Sequence, residues 1–382
     1  MDFNLGSQLE LLKKSVREFS RQEIAPKVEE MENTGKVPMD VFKKMGGLGF
    51  IGVAVPQKHG GPGMGSLARM VLVEEIAVVS AAMAMTVQCA QFGMGAIIDG
   101  GSDEIIGKYL PPLIRGDDIC AAGVTESSGG SDPFGNSTEA TDMGDHFVLN
   151  GRKTFISNSH CSNCAMIVAK TRETPKKEFT AFLVDKDMGG FRPGRLEKKI
   201  GFHGCDTGEL VLENCRVPRA NMLGREGQGL QIALKGITEY GRTGIIAMSL
   251  GLIQASLEAA VKFANERVLY GKPITSLQSV QFKMAEMYAD LQACRHMGYR
   301  AAWIIDQGRK ADVDVAAAKF YCSEAALRCT RKAMDIMGGY GCMKEFGVER
   351  YLRDAQLLVA SDGTNDIMRV IAGRSVASAG VQ

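Results

Sequence analysis

The spacing of apolar residues changes character twice along the chain, which constrains its fold more than any other feature. From Leu5 to about Leu110, apolar side chains recur every three or four residues, as in helices that bury one face. Between Cys120 and about Arg225 they form short runs instead, with Asn150-Gly151 as a tight-turn pair between two of these runs. The middle section therefore predicts antiparallel strands.

Helical spacing returns at Gly229 and continues almost to the end of the sequence. It predicts helices over 229–266, 276–307, 312–337 and 345–357, with a last one near 365–377. The order of helices, strands and helices predicts an α+β fold. We expect an N-terminal helical domain over residues 1–119, a middle antiparallel β domain over 120–228 and a C-terminal helical domain over 229–382.

The charge balance excludes several classes of partner. The 382 residues include 45 Lys and Arg against 44 Asp and Glu, which gives a net charge of +1. Such a chain lacks the positive surface by which proteins bind nucleic acid or anionic membranes. We therefore expect neither as a partner.

The cysteines and the N-terminal residues bear on the cellular compartment of the protein. Ten cysteines are scattered over the chain, which argues against a disulfide framework and for reduced thiols. Met1-Asp2-Phe3-Asn4 leads straight into a charged helical pattern, without the basic segment and apolar run of an export signal. We expect a cytoplasmic protein.

One uncharged stretch, from Ile76 to Ile98, is long enough to cross a bilayer. It contains several polar side chains, however, and it is rich in Ala and Met rather than in Leu and Phe. The shorter uncharged run from Gly244 to Leu257 has the same character. Both runs predict helices buried inside a soluble protein, without membrane insertion.

A Cys-x-x-Cys pair, Cys161 and Cys164, raises the question of a metal site. Structural zinc needs four ligands, and only His203 or Cys205 could join this pair together with the adjacent His160. The pattern therefore favours thiols that bind no metal.

The segment from Gly123 to Gly135 is the first candidate for a binding site. Its glycines and small side chains would let backbone N–H groups approach an anionic or heteroaromatic ligand closely. A plain surface loop would have a similar composition, so the pattern alone leaves both interpretations open.

The same segment resembles the first signature of the acyl-CoA dehydrogenase family. The second signature begins at Asp335, continues through Gly338-Gly339-Tyr340-Gly341 and ends at Asp354, with Cys342 in place of a larger apolar residue. Further matches are Val217-Pro218, Asn221, Leu223-Gly224, Gly227, Gly229, Arg267 and Tyr270-Gly271-Lys272. The resemblance covers essentially the whole chain. It implies a four-helix bundle in the C-terminal domain, a homotetramer, and α,β-dehydrogenation of an acyl-CoA thioester.

The resemblance also implies FAD. The residues that it places along the flavin are Val124, Thr125, Gly130, Ser131, Phe155, Ile156 and Ser157. Phe155 would pack by the isoalloxazine ring in place of the family's usual Trp, and Ser157 would hydrogen-bond the reactive edge near N5. No Gly-x-Gly-x-x-Gly follows a strand, so a nicotinamide site has no support.

A second group would reach the pyrophosphate and adenosine part of FAD, from a neighbouring subunit. Its members are Arg267, Tyr270, Gln278, Asp335, Gly338 and Gly339, with Asp335 in place of the usual Gln. Thr364 and Asp366 would complete the FAD site.

The general base of the family commonly lies in a Glu-Gly-Thr tripeptide, which here reads Asp362-Gly363-Thr364. By resemblance, Asp362 removes the α-proton while the β-hydride leaves to flavin N5. The backbone N–H of Asp362 and the ribityl 2′-hydroxyl would hold the thioester oxygen. Some members carry the base directly before an arginine, and that position is Gly241 here. An inactive relative in which Asp362 is only a loop carboxylate is the alternative.

Substrate contacts follow from the same resemblance. Glu239, Tyr240, Gly241 and Arg242 resemble the turn that binds the CoA thioester, and Ser131 and Gly363 would touch the thioester or the pantetheine arm. Arg242 could instead pair with a carboxylate in the helical core. Gln91 lies near the place where a related subgroup carries an Asp base for 1,4-elimination, and an amide cannot serve as that base.

Asp is one methylene shorter than Glu, so a ring or branch at the α-carbon would use the vacated volume. The replacement resembles the cyclohexane-1-carboxyl-CoA dehydrogenase subgroup of anaerobic ring degradation. The predicted reaction is therefore 1,2-elimination of cyclohexane-1-carboxyl-CoA to cyclohex-1-ene-1-carboxyl-CoA, with electron-transfer flavoprotein or a similar protein as acceptor. The alternatives are a short-chain or 2-methyl-branched acyl-CoA dehydrogenase, an acyl-CoA oxidase, and a non-catalytic relative associated with nucleic acid.

Overall fold

The computed structural model describes residues 4–173, 175 and 177–379. Its N-terminal part contains the helices α1 (Ser7–Phe19), α2 (Val28–Thr34), α3 (Met39–Gly47), α4 (Gly65–Val79), α5 (Ala81–Gly100) and α6 (Asp103–Ile114). Ser80 separates α4 from α5, because its extended backbone ends one helix while its hydroxyl accepts a hydrogen bond from Met83 N (3.2 Å) at the start of the next.

Strands fill the middle of the chain: β1 (Cys120–Gly123), β2 (Glu139–Asp142), β3 (His146–Ser157), β4 (Cys164–Arg172), β5 (Glu178–Asp185), β6 (Phe191–Leu196), β7 (Thr207–Pro218) and β8 (Met222–Leu223). They form one sheet in the order β6-β7-β3-β2-β4-β5-β8, and β1 pairs with β4 in parallel. The sheet is therefore mixed, although most of its pairs are antiparallel as predicted.

The sheet separates two apolar cores. Along β4, Met166 and Val168 point into the larger core, which the helices share, whereas Ile167 and Ala169 point into a smaller core with Phe147. Because β4 is buried on both faces, its sequence is a continuous apolar run rather than an alternating one.

The C-terminal part returns to helices: α7 (Gly229–Gly236), α8 (Thr243–Glu266), α9 (Gln278–Asp306), α10 (Asp312–Met337), α11 (Val348–Leu358) and α12 (Asn365–Ala379). A short hairpin of β9 (Val268–Leu269) and β10 (Lys272–Pro273) precedes α9. The helix α10 packs against α8, α9, α11 and α12, and α4 packs on α8 and α9. These contacts join the N-terminal helices to the C-terminal bundle.

The bounds of α10 coincide with the prediction, and the neighbouring helices differ from it by a few residues. The predicted helix over 229–266 is continuous, but residues Ile237–Arg242 form a π-helical turn within it. π-helical turns often occur at functional sites.

Two helices are long and apolar enough to cross a membrane, Ala81–Gly100 and the continuous helix Gly229–Glu266. In their most apolar windows, 89% and 72% of the residues are buried inside the fold. The packing of these helices against one another and against the sheet accounts for their composition.

Candidate active site

Asp362 lies in the turn between α11 and α12. Its φ of +51° and that of Gly363, +97°, place two successive residues in the left-handed region, which reverses the chain. Asn365 N donates to Val359 O (3.0 Å) and closes the turn. A non-glycine residue at such a φ needs a surrounding structure that holds it.

The side chain of Asp362 points at Gly241, in the π-helical turn. A Cβ atom built on Gly241 would lie 2.9 Å from both Cγ and Oδ1 of Asp362. The structure thus brings together the two positions at which the resemblance implies a base, and only Asp362 supplies a carboxylate there.

Three buried cations lie within electrostatic reach of this carboxylate. Burial raises the pKa of Asp362 above its usual range, and the charges of Lys319, Arg242 and Arg69 oppose that rise. A raised pKa suits a general base, because a more basic carboxylate accepts a proton more readily.

Arg242 contacts the turn that carries Asp362. Its Nε donates to Asp362 O (3.4 Å) and its Nη1 to Thr238 Oγ1 (3.1 Å). Burial lowers the pKa of Arg242, although the charge of Asp362 opposes this. Within the described part of the chain no ion pair joins Arg242 to a carboxylate, and its role in binding the CoA thioester stays a prediction.

Lys319 is a site residue that the sequence analysis missed. It is fully buried on α10, and Nζ donates to Val359 O (3.2 Å), Gly363 O (2.8 Å) and Asn365 Oδ1 (2.9 Å). Burial lowers its pKa to about 8. A signal was present, because the residues three and four positions away on both sides, Val315, Ala316, Cys322 and Ser323, are all uncharged and all buried.

Arg69, on α4, is the second residue that was missed. It is buried, Nη2 donates to Glu239 O (2.9 Å), and its guanidinium lies 5.1 Å from the centre of the Tyr240 ring. Burial lowers its pKa to about 10. Among the described residues its Nε and Nη1 have no hydrogen-bond partner.

Four of the predicted substrate residues fall into two groups. Gly241 and Arg242 contact Asp362 or its turn. Tyr240 and Gln91, by contrast, line a small cavity together with Arg69, and Gln91 Nε2 donates to Ile51 O (3.2 Å).

The helix α5 lies very close to α7 and α8. Cβ atoms built on Gly244, Gly236 and Gly95 would lie 2.1 Å from Gln88 Cγ, 2.2 Å from Phe92 Cε2 and 2.4 Å from Tyr240 Cε2. These glycines therefore let the helices approach until side chains of one touch the backbone of the other. Little space therefore remains between α5 and the helices α7 and α8.

The predicted flavin segments are adjacent. Thr154 N donates to Thr125 O (2.9 Å), which joins the end of β3 to the loop after β1. Below this loop, Lys153 Nζ lies 2.7 Å from Glu126 Oε1 in a buried ion pair, and Glu126 also accepts from the backbone N of Ser137 and of Thr138. The ion pair holds the shape of the loop from residue 124 to 131.

Phe155 follows the residue that joins β3 to that loop. Phe155 adopts a φ of +58° and leaves 65% of its surface exposed, as expected of an aromatic ring that packs on a ligand. Burial raises the pKa of the Cys89 thiol, the charge of Asp362 adds to this, and Ser157 opposes it.

The residues predicted to contact the adenosine part form a separate group. Arg267 lies 5.6 Å from the centre of the Tyr340 ring, next to Gly338 and Gly339. Tyr270, at the tip of the hairpin, has a φ of +52° and is 93% exposed. Gln278 begins α9, Asp335 lies 3.7 Å from Lys283 Nζ, and the exposed Asp366 pairs with Arg369. Contacts of this group with a neighbouring subunit stay a prediction.

No group of three or more His, Cys, Asp or Glu side chains suited to a metal occurs in the described ranges. Cys164 lies beside Cys120, which together with burial raises the pKa of its thiol well above the usual range.

Comparison with known proteins decides the family. Sequence models of the N-terminal, middle and C-terminal domains of acyl-CoA dehydrogenase match residues 7–117, 121–215 and 227–377. This chain belongs to the acyl-CoA dehydrogenase family. It is 38% identical to an acyl-CoA dehydrogenase of Bacillus subtilis over 94% of this chain and 96% of that protein.

Two further relatives of this acyl-CoA dehydrogenase are informative. The caffeyl-CoA reductase–Etf complex subunit CarC of Acetobacterium woodii is 35% identical over 96% of this chain and 97% of that protein. The solved structure of butyryl-CoA dehydrogenase from Megasphaera elsdenii matches with a TM-score of 0.96 and 34% identity, covering 99% and 100% of the two chains. The predicted α+β fold and the predicted class of enzyme, an oxidoreductase acting on CH–CH groups, are confirmed.

FAD is the cofactor of this family. The residues of this acyl-CoA dehydrogenase fit it, because the exposed ring of Phe155 lies beside a loop in which Gly130 approaches Thr125 so closely that an added Cβ would lie 3.1 Å from Thr125 Cγ2. Val124, Thr125, Gly130, Ser131 and the segment Phe155–Ser157 would hold the flavin.

Proposed function

We propose that Asp362 is the general base of this acyl-CoA dehydrogenase and that its substrate is a compact acyl-CoA, with cyclohexane-1-carboxyl-CoA converted to cyclohex-1-ene-1-carboxyl-CoA. The contact of the Asp362 carboxylate with Gly241 carries the proposal. At that contact no side chain at position 241 competes with the base, and the shorter carboxylate leaves volume on the substrate side.

In this reaction, named groups of the chain receive the α-proton and stabilise the negative charge on the thioester oxygen. Asp362 takes the α-proton, and its backbone N–H donates to the thioester oxygen on which negative charge develops. Arg242 and Lys319 hold the turn in place during this transfer. When bound, FAD supplies the acceptor for the hydride that leaves the β-carbon.

The close approach of α5 to α7 and α8 supports a compact acyl group. Phe92 is buried against Gly236, and Gln88 against Gly244, so these helices leave little length for a linear chain. A ring branched at the α-carbon places its bulk near Asp362 instead, where one methylene is missing. A short-chain or 2-methyl-branched acyl group is the alternative that the same geometry admits.

We infer the setting of the enzyme from its relatives. The relative from Acetobacterium is a subunit of an Etf complex, which supports electron-transfer flavoprotein as the electron acceptor. We propose a cytoplasmic homotetramer, in which Arg267, Tyr270, Gln278 and the turn at Gly338-Gly339 reach the FAD of a neighbouring subunit.

A panel of thioesters tests the proposal. The purified enzyme is mixed without oxygen with cyclohexanecarboxyl-CoA, butyryl-CoA and isobutyryl-CoA, and loss of flavin colour is followed. We expect cyclohexanecarboxyl-CoA to react fastest and Asp362→Asn to retain FAD without reacting. Faster reaction with butyryl-CoA or isobutyryl-CoA would overturn the ring substrate, reaction with none would overturn the dehydrogenase, and peroxide formation in air would indicate an oxidase.

A further inference from the structure

Among the described residues, Lys319 donates hydrogen bonds only to the turn that carries Asp362 and to the first residue of α12. Two of its acceptors, Val359 O and Gly363 O, lie on either side of Asp362 in the chain, and the third, Asn365 Oδ1, lies at the start of α12. A single ammonium group therefore ties both ends of the turn to α10.

Burial of this ammonium group is costly and needs a reason. None of its three acceptors is a carboxylate, so hydrogen bonds rather than an ion pair replace its water. A neutral side chain of similar length would avoid the cost of desolvation. What it could not do is to bind three oxygens of one turn and place a positive charge next to Asp362.

The groups that face Lys319 are few. Asp362 and Glu324 are the anions within its electrostatic reach, and Arg242 is the cation. Glu324 is occupied by Arg369 and by Asn365 Nδ2 (3.3 Å), and Ser323 Oγ donates to Asn365 Oδ1 (3.1 Å). Asp362 is therefore the anion whose ionisation Lys319 affects most directly.

We propose that Lys319 is a positioning residue for the general base: it clamps the turn that holds Asp362 at positive φ, and its charge favours the ionised carboxylate that removes the α-proton. This inference rests on the proposed role of Asp362. It goes beyond that role, because it assigns to a residue outside the family signatures both the geometry and the ionisation of the base.

The pH dependence distinguishes this role from a purely structural one. Proton abstraction needs ionised Asp362, so its rate rises as pH passes upward through the pKa of Asp362. The charge of Lys319 lowers that pKa, so its removal moves the acid limb of the rate profile to higher pH. Burial lowers the pKa of Lys319 to about 8. Above that pH the neutral amine has only two N–H donors for its three acceptors, so its hold on the turn weakens and the wild-type rate is expected to fall.

The experiment uses the FAD-loaded enzyme with Lys319→Met, Lys319→Arg and, as a control on the same helix, Lys332→Met. Lys332 Nζ pairs with Glu286 (2.6 Å), away from the turn. Exchange of the substrate α-proton with solvent deuterium and flavin reduction are both measured from pH 5 to 10. Melting temperature reports folding.

We expect Lys319→Met to move the acid limb upward by about one pH unit, which is a tenfold loss of rate on that limb. Lys319→Arg should keep the acid limb and lose the alkaline fall, because guanidinium stays charged. Lys332→Met should match the wild type.

A lower melting temperature with an unchanged pH profile in Lys319→Met would overturn the proposal. If Lys319→Met does not fold, the alkaline limb of the rate profile of Lys319→Arg provides the test. A rate that still falls near pH 8 in Lys319→Arg would also overturn the proposal. Failure of the proposed function looks different, since the wild-type enzyme would then neither exchange the α-proton nor reduce its flavin with any thioester.

Discussion

Gly241 and Asp362 face each other so closely that a Cβ atom on Gly241 would lie 2.9 Å from Asp362 Cγ. The site therefore needs glycine at position 241, because the Asp362 carboxylate occupies the space of a side chain there. The relationship makes the two base positions mutually exclusive.

Gly241→Ala is expected to lower the rate of flavin reduction at least tenfold, because the new methyl group displaces the Asp362 carboxylate from the α-proton. Stability should change little, because the preference for alanine over glycine inside a helix, about 0.5–1 kcal/mol, offsets part of the cost of moving the Asp362 side chain. Rapid-mixing kinetics and thermal unfolding check the two parts. Gly107→Ala on α6, where an added Cβ meets no atom within 4 Å, is the control. If Gly241→Ala reduces its flavin as fast as the wild type, the Asp362 carboxylate can reach the α-proton from another position and the prediction is wrong.

Asp362→Glu restores the missing methylene and should change the preference for substrates. The longer side chain occupies volume that we assign to the ring, so kcat/KM for cyclohexanecarboxyl-CoA should fall at least tenfold relative to butyryl-CoA. Tenfold corresponds to about 1.4 kcal/mol of transition-state stabilisation. The ratio of the two kcat/KM values is the measurement, because it cancels a general loss of activity. A ratio within twofold of the wild-type ratio would contradict the prediction, because it would show that the length of the side chain at position 362 does not determine the preferred substrate.

The residues around Asp362 show what a sequence can and cannot reveal. Asp362, Gly241 and Arg242 could be predicted because local sequence signatures mark them. The helices could be predicted because apolar residues recur once every turn. Lys319 and Arg69 act through contacts with residues 40 or more positions away, for which no local pattern exists. Lys319 still interrupts a buried apolar stripe of α10, whereas Arg69 lies in a stretch of α4 that is buried on all sides and so has no single stripe to interrupt.

Arg69→Met is expected to leave stability nearly unchanged, although Arg69 is buried. Two of its nitrogens lack partners among the described residues, so the variant removes an incompletely satisfied charge. Arg295→Met is the contrasting variant, because Arg295 donates twice to the buried Glu74 and its loss leaves that carboxylate without its cation. The second variant should lose about 3–5 kcal/mol. Urea midpoints measured side by side test the contrast, and equal losses would contradict it.

The buried pair of Glu126 and Lys153 predicts a limit of stability in acid. Burial alone would raise the pKa of Glu126, but Lys153 and the hydrogen bonds from residues 137 and 138 lower it from 4.5 to about 2. Burial also lowers the pKa of Lys153, although the charge of Glu126 and its hydrogen bond with Lys153 oppose this. Because the folded-state pKa lies below the unfolded one, the stabilisation is complete above about pH 4.5 and is lost as pH falls towards 2.

This pair also holds the loop that would bind the flavin, so the loss should appear as release of FAD. Glu126→Gln should release FAD at neutral pH to a greater extent than the wild type does, because it leaves Lys153 buried without its anion. Fluorescence of released FAD and thermal unfolding, both measured from pH 3 to 8, provide the readouts. Arg192→Met, which breaks an exposed pair with Glu213 on the same sheet, is the control and should change neither. Retention of FAD by Glu126→Gln across this range would show that the ion pair does not maintain the loop.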